Sequence, residues 1–222
     1  MSATINIVDL TLPLSPGARG VAMESKCSVA REGWNAATWH VYSHAGTHMD
    51  AQIHFEAGAE TIDTKSLDRC IGPAWVVNLV PCAPKAVLTV SHLGDIATRF
   101  IPGESVLLRT DWHKQALNPE LYRDGLPRIG DELAAWCVAH RVKILGVEPP
   151  SVANVNDLPE VTRIHKTLLG GGVTIVEGLA HLDQLTQPRV FFHALPLKLV
   201  GGDGCPVRAF AYDSPPDTWP RA

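Results

Sequence analysis

The sequence has no block of lysines or arginines, and its formal net charge is −4. That removes the basic footprint by which proteins hold nucleic acid or an anionic membrane surface. No apolar run approaches the ~20 residues that a membrane-spanning helix needs. The opening MSATINIVDL lacks the basic flank and apolar core of a signal peptide, so a soluble, cytoplasmic protein is expected. The five cysteines (Cys27, Cys70, Cys82, Cys137, Cys205) are scattered and form no CxxC pair. This argues against a disulfide framework or a thiolate zinc site, and for reduced, partly buried thiols. No G-x-S-x-G elbow is present, which leaves serine-nucleophile chemistry without support. Repeats, low-complexity tracts and long linkers are absent as well.

What remains is globular: 222 residues, 45% of them hydrophobic, fit one α/β domain spanning 1–222. Ile5 to Leu10 reads as a strand closed by the turn-prone Leu14-Ser-Pro-Gly-Ala-Arg-Gly20. Ala74 to Val80, Ser105 to Arg109 and Lys143 to Val147 are short apolar runs bounded by Pro or Gly, expected as buried strands. Asp131 to His140 spaces Leu133, Trp136, Cys137 and His140 as a helix does, with two acids in its first turn. Pro159 to Leu169 starts with a proline and stops at a glycine triplet, as a second helix would. Arg189 to Ala211 holds two apolar runs around Val200-Gly-Gly-Asp-Gly-Cys205, a hairpin or corner. The irregular alternation predicts a mixed β-sheet with flanking helices.

The chemistry concentrates in His44-Ala-Gly-Thr-His-Met-Asp-Ala-Gln-Ile-His54. Ten histidines in the whole chain would place roughly one half of a histidine in a window of this size; this one holds three and an aspartate. Neutral imidazole and carboxylate are ligands shared by Zn, Mn, Fe, Co and Ni. His44 and His48, four apart, can face one ion; Asp50 adds an anionic oxygen, and Gly46 lets the backbone turn tightly enough for convergence. An HxxxH pair alone is weak, and most are solvated or merely packed. Structural zinc sites usually recruit cysteines, which are missing here.

Distant partners are needed to complete such a site. On the second helix His165 shares the face of Val161, Ile164 and Leu168, so it should point inward, where an imidazole needs a polar partner or a metal. Val173 to Glu177 reads as a strand with Glu177 on the side of Val173 and Ile175, opposite Thr174 and Val176. A buried, ionised and unpaired glutamate is costly. One metal would resolve both anomalies. Trp34, Trp39, Phe55 and Trp112 lie near these elements, and each reads first as core packing and second as a pocket wall. Arg109, Asp111 and His113 read as a solvated loop rather than a second site.

The pattern H-x-G-T-H-x-D with a later His resembles the cyclase-like metal-dependent hydrolases, the family of bacterial kynurenine formamidase and isatin hydrolase. Asp9-Leu-Thr-Leu-Pro-Leu14, Gly146-Val-Glu-Pro-Pro-Ser151, His165-Lys-Thr-Leu-Leu169, Ile175-Val-Glu-Gly-Leu179 and Leu195 to Arg208 extend the resemblance through much of the chain. It implies a swivelling β/β/α fold, a homodimer or homotetramer, and one or two divalent ions, zinc or manganese foremost. It makes His44, His48, Asp50, His165 and Glu177 metal ligands, with Asp50 able to bridge, and His54 the catalytic base or proton shuttle. It also implies a small amide substrate, a formamide or cyclic amide. A non-catalytic metal-binding protein and a metal-dependent lyase or dehydratase would use the same ligands. Two positions depart from the family: Gln52 stands where proline is usual, and Glu148 where aspartate is usual.

Overall fold

The computed structural model describes residues 6–214 and Trp219. Ile5, the expected start of the first strand, lies outside the described residues. The chain begins with β1 (Ile7–Asp9), then a hairpin of β2 (Val21–Cys27) and β3 (Ala36–Val41) around a short helix α1 (Val29–Glu32). There follow β4 (His48–Asp50), β5 (Ile71–Asn78), β6 (Val87–Leu88), α2 (Ile96–Arg99), β7 (Ser105–Arg109) and α3 (Pro119–Asp124). The remainder is β8 (Arg128–Ile129), α4 (Asp131–Ala139), β9 (Ile144–Val147), α5 (Leu158–Gly170), β10 (Thr174–Glu177), β11 (Arg189–Pro196) and β12 (Gly204–Tyr212).

Eight strands make one mixed sheet in the order β1-β12-β11-β5-β7-β9-β10-β4. The middle strands β5, β7, β9 and β10 run parallel, whereas β11, β12, β1 and β4 are antiparallel to their neighbours. The short strand β4 pairs with β10 on one side and with β12 on the other, Gly204 standing opposite Asp50. That double pairing closes the sheet into a barrel.

Strand alternation then divides the core. Leu107, Ile144, Val176 and Met49 turn inward and meet Val190, Phe192, Ala194, Val207 and Ala209. Their neighbours Val106, Leu108, Leu145 and Ile175 turn outward beneath α4 and α5, meeting Leu133, Cys137, Ile164 and Leu168. Helix α5 is framed as its sequence suggests: the Asp157 side chain accepts from the Glu160 amide, Pro159 sits in the first turn, and the helix stops at its glycines. The hairpin around the glycine corner forms as β11 and β12.

Differences from expectation are local. The run foreseen as Ala74 to Val80 starts earlier, at Ile71; β7 pairs only from Ala74 onward, so Pro73 meets no ladder on that side. The β2–β3 hairpin was not foreseen, because nearly every position is exposed and no apolar alternation marks it. No helix among the described residues is long and apolar enough to cross a membrane. All five cysteines are free thiols, and burial pushes Cys137 up to about 12.

Candidate active site

The closure strand organises the site. Along β4, alternation sends Met49 into the barrel and leaves His48 and Asp50 on the opposite face. Across the ladder Met49 faces Val176, and His48 faces Glu177, so the glutamate emerges on the same outer face as His48. Helix α5 covers that face and lowers His165 onto it. Upstream, Gly46 turns the chain with φ 59, and a Cβ there would strike Leu14 Cδ2 at 2.6 Å, so the backbone bends as the motif requires.

Two of the imidazoles have Nδ1 committed to the backbone. His48 donates from Nδ1 to the Gly46 carbonyl at 2.9 Å, and His165 donates from Nδ1 to the Val161 carbonyl at 2.8 Å. Each therefore presents Nε2 to the carboxylates, the arrangement by which a second partner orients a metal-binding histidine. His48 Nε2 lies 3.2 Å from Glu177 Oε2, and His165 Nε2 lies 3.4 Å from Glu177 Oε1. The same two nitrogens stand 3.7 and 3.8 Å from the Asp50 oxygens. Glu177 is further fixed by the Val152 amide at 2.7 Å. Burial would raise the Glu177 pKa, but His165 and His48 hold it well below the carboxylate range.

His44 donates to Asp50 Oδ1 at 2.9 Å and to Asp203 Oδ2 at 3.0 Å; both bonds at once require the imidazolium. Burial opposes that charge, yet the two carboxylates lift the His44 pKa to about 9. His54 stacks on His44 at 3.9 Å and stands 3.6 Å from Asp203 Oδ2. Its side chain is 23% exposed against 3% for His48, so it sits nearest to solvent. Burial lowers the His54 pKa; the Asp50 carboxylate opposes this, but the neighbouring His44 and His165 reinforce it.

Two candidate ligand triads share Asp50, His44–His48–Asp50 and Asp50–His165–Glu177, and a third, His44–His54–Asp203, adjoins them; within each, the atoms lie within 4.8 Å of one another. Asp50 Oδ2 is buried without a hydrogen-bond partner. A buried carboxylate oxygen without a donor is costly, and a divalent cation between the triads would relieve it. The donor set fits such an ion.

All six predicted positions are thus brought together. Asp203, which joins His44 to His54, was missed, because Gly-Gly-Asp-Gly reads only as a turn; its adjacency to the motif arises from β12 pairing with β4. Gln52 reaches the Leu169 carbonyl at 3.1 Å, tying the His54 turn to the end of α5. Phe55 stacks on His165 at 4.4 Å, whereas Trp34 and Trp39 are exposed and Trp112 is buried, donating to the Tyr122 carbonyl. The solvated-loop reading of Arg109, Asp111 and His113 needs correction. Arg109 and Asp111 do pair near the surface, but His113 is buried and bonded at 2.7 Å to Glu148, which is fully buried. A partner remote in sequence overturned it.

Comparisons with known proteins bear on the family and the fold. The family model described as "Putative cyclase" matches residues 8–154. A kynurenine formamidase of Salinibacter ruber is 32% identical over 184 residues, covering 82% of this chain and 81% of its own. One from Geobacillus thermodenitrificans is 30% identical over 207 residues, 91% and 92% of the two chains. The structure of isatin hydrolase A from Ralstonia solanacearum superposes with a TM-score of 0.83 at 27% identity, over 93% and 91% of the two chains. The family model over residues 8–154 and these relatives lead to one conclusion: the chain belongs to the cyclase family.

Proposed function

We propose that the protein hydrolyses a small amide, either a formamide or a cyclic amide, with one or two divalent cations, zinc or manganese, held by His44, His48, Asp50, His165 and Glu177. The observation that carries this reading is the partnerless Asp50 Oδ2 between the two triads. When bound, such an ion polarises a carbonyl oxygen and acidifies water to near neutrality.

The rest falls to the chain. Glu177 holds His48 and His165 with both imidazole Nε2 atoms turned toward Asp50. His54, whose pKa burial holds below that of a free imidazole, is the proton carrier. Its Nδ1 faces Asp203, leaving Nε2 to take a proton from the attacking water and return it to the departing nitrogen. Asp203 anchors this device through His44. Support for the substrate class comes from the relatives, named kynurenine formamidase and isatin hydrolase.

The test is metal analysis of the purified protein, then assays with N-formylkynurenine and isatin in oxygen-18 water. The expected result is bound zinc or manganese and one labelled oxygen in the product. Turnover without label would replace hydrolysis by a lyase or dehydratase reaction. Bound metal with no turnover of amides, lactams or lactones would make this a binding protein.

A further inference from the structure

We propose that His113, His181 and Asp183 form a second cation site, separate from the Asp50 cluster, that takes a divalent ion of the zinc class. His113 lies in the turn Trp112–Gln115 after β7, and His181 begins the turn Leu182–Gln184 that follows β10. Between them Glu148 follows directly on β9. Three loops thus meet at the carboxyl ends of parallel strands, where α/β sheets place ligands.

Glu148 sets the geometry. Its Oε2 accepts from the Thr110 amide at 2.7 Å, the Thr110 hydroxyl at 3.0 Å and the Trp112 amide at 3.2 Å. Its Oε1 accepts from His113 Nδ1 at 2.7 Å. The proton is thereby held on Nδ1, which frees the Nε2 lone pair, as in carboxylate–histidine–metal arrangements. That Nε2 points at Asp183 Oδ1, 3.9 Å away, too far for a hydrogen bond, and Asp183 Oδ1 is itself buried without a partner. The His181 ring stands edge-on to His113 at 5.1 Å, and the three ligand atoms lie within 4.8 Å of one another. An ion bonded to nitrogen and oxygen at about 2.0–2.2 Å would draw such atoms slightly together. Two imidazoles and one carboxylate favour zinc, cobalt or nickel over magnesium or calcium.

The competing arrangement is an ion pair. Lys114 Nζ reaches Asp183 Oδ2 at 3.1 Å and Asp111 Oδ2 at 2.7 Å. It engages only the outer oxygen of Asp183 and is half-exposed, so it can swing away while Oδ1 binds the ion. The site also touches the main cluster through one loop: Glu148 opens that loop, and the Val152 amide near its end donates to Glu177.

Equilibrium dialysis of the full chain against Zn2+, followed by metal analysis, tests the site. His181→Asn and Asp183→Asn are suited to it, because both side chains are only partly buried and Asn tolerates the left-handed backbone of His181, φ 58. Each is expected to hold one zinc fewer per chain than wild type, with circular dichroism unchanged. Lys114→Met removes the competing ammonium from a surface position and is expected to tighten that zinc severalfold. Equal zinc in wild type and either folded variant, or unaltered affinity in Lys114→Met, overturns the proposal.

Discussion

Asp50 faces imidazoles on two sides: Oδ1 receives His44, while Oδ2 receives no hydrogen bond. Asp50→Asn keeps the volume and removes the charge shared by both triads, so divalent-cation affinity should fall by more than about 100-fold, as dialysis against zinc would show. His54 belongs to a different category, since its lowered pKa and greater exposure suit proton transfer. His54→Ala should keep its metal while kcat drops by about 10²- to 10⁴-fold. Loss of metal in that variant would make His54 a ligand. At this scale the eleven-residue motif was readable as a cluster because its proposed ligands are close in sequence. His165 and Glu177 were readable as polar residues on apolar faces. Asp203 and Glu148 were not, since each acquires its role from a strand paired or a loop packed far along the chain.

Among the elements, β12 and α5 matter most to the site. The His44 ring rests against Gly204, where a Cβ would come within 2.5 Å of Cε1. Gly204→Ala should displace the ring, and a shift of about 1 Å is expected to lower kcat about 100-fold with little loss of thermal stability. Helix α5 is anchored by Leu168, fully buried under the sheet. Leu168→Ala should cost about 2–5 kcal/mol in urea unfolding and weaken metal binding with it, because His165 rides on the same helix. Both helices and β7 were legible from period and punctuation. The hairpin β2–β3 was not, since it buries almost nothing, and β4 is too short at three residues to show alternation.

For the whole molecule, metal and proton compete. Stripping the cation should remove about 2.7 kcal/mol if it was present at 100 times its dissociation constant, which for a chain of this size corresponds to a melting temperature lower by about 5–10 °C. The stripped protein should also respond to pH. His44 is raised from 6.5 to about 9 by Asp50 and Asp203 against the pull of burial, so its charge stabilises the fold fully below pH 6.5. That contribution fades as pH rises through 9, and scanning calorimetry should record a falling melting temperature across this window. With zinc restored the trend should reverse, because the ion displaces the same proton more easily at higher pH.

The double pairing of β4 carries one more consequence, for the order in which the molecule is made. This strand is synthesised early but gains its second neighbour only when Gly204 to Pro206 arrive, and Asp203 comes with them. Until then the emerging chain carries His44, His48 and Asp50 with no barrel to seat them. The proposed ion site would therefore be complete only after β12 has left the ribosome, and a chain halted before Gly204 is expected to hold zinc more weakly than the full chain, as dialysis of the two would show.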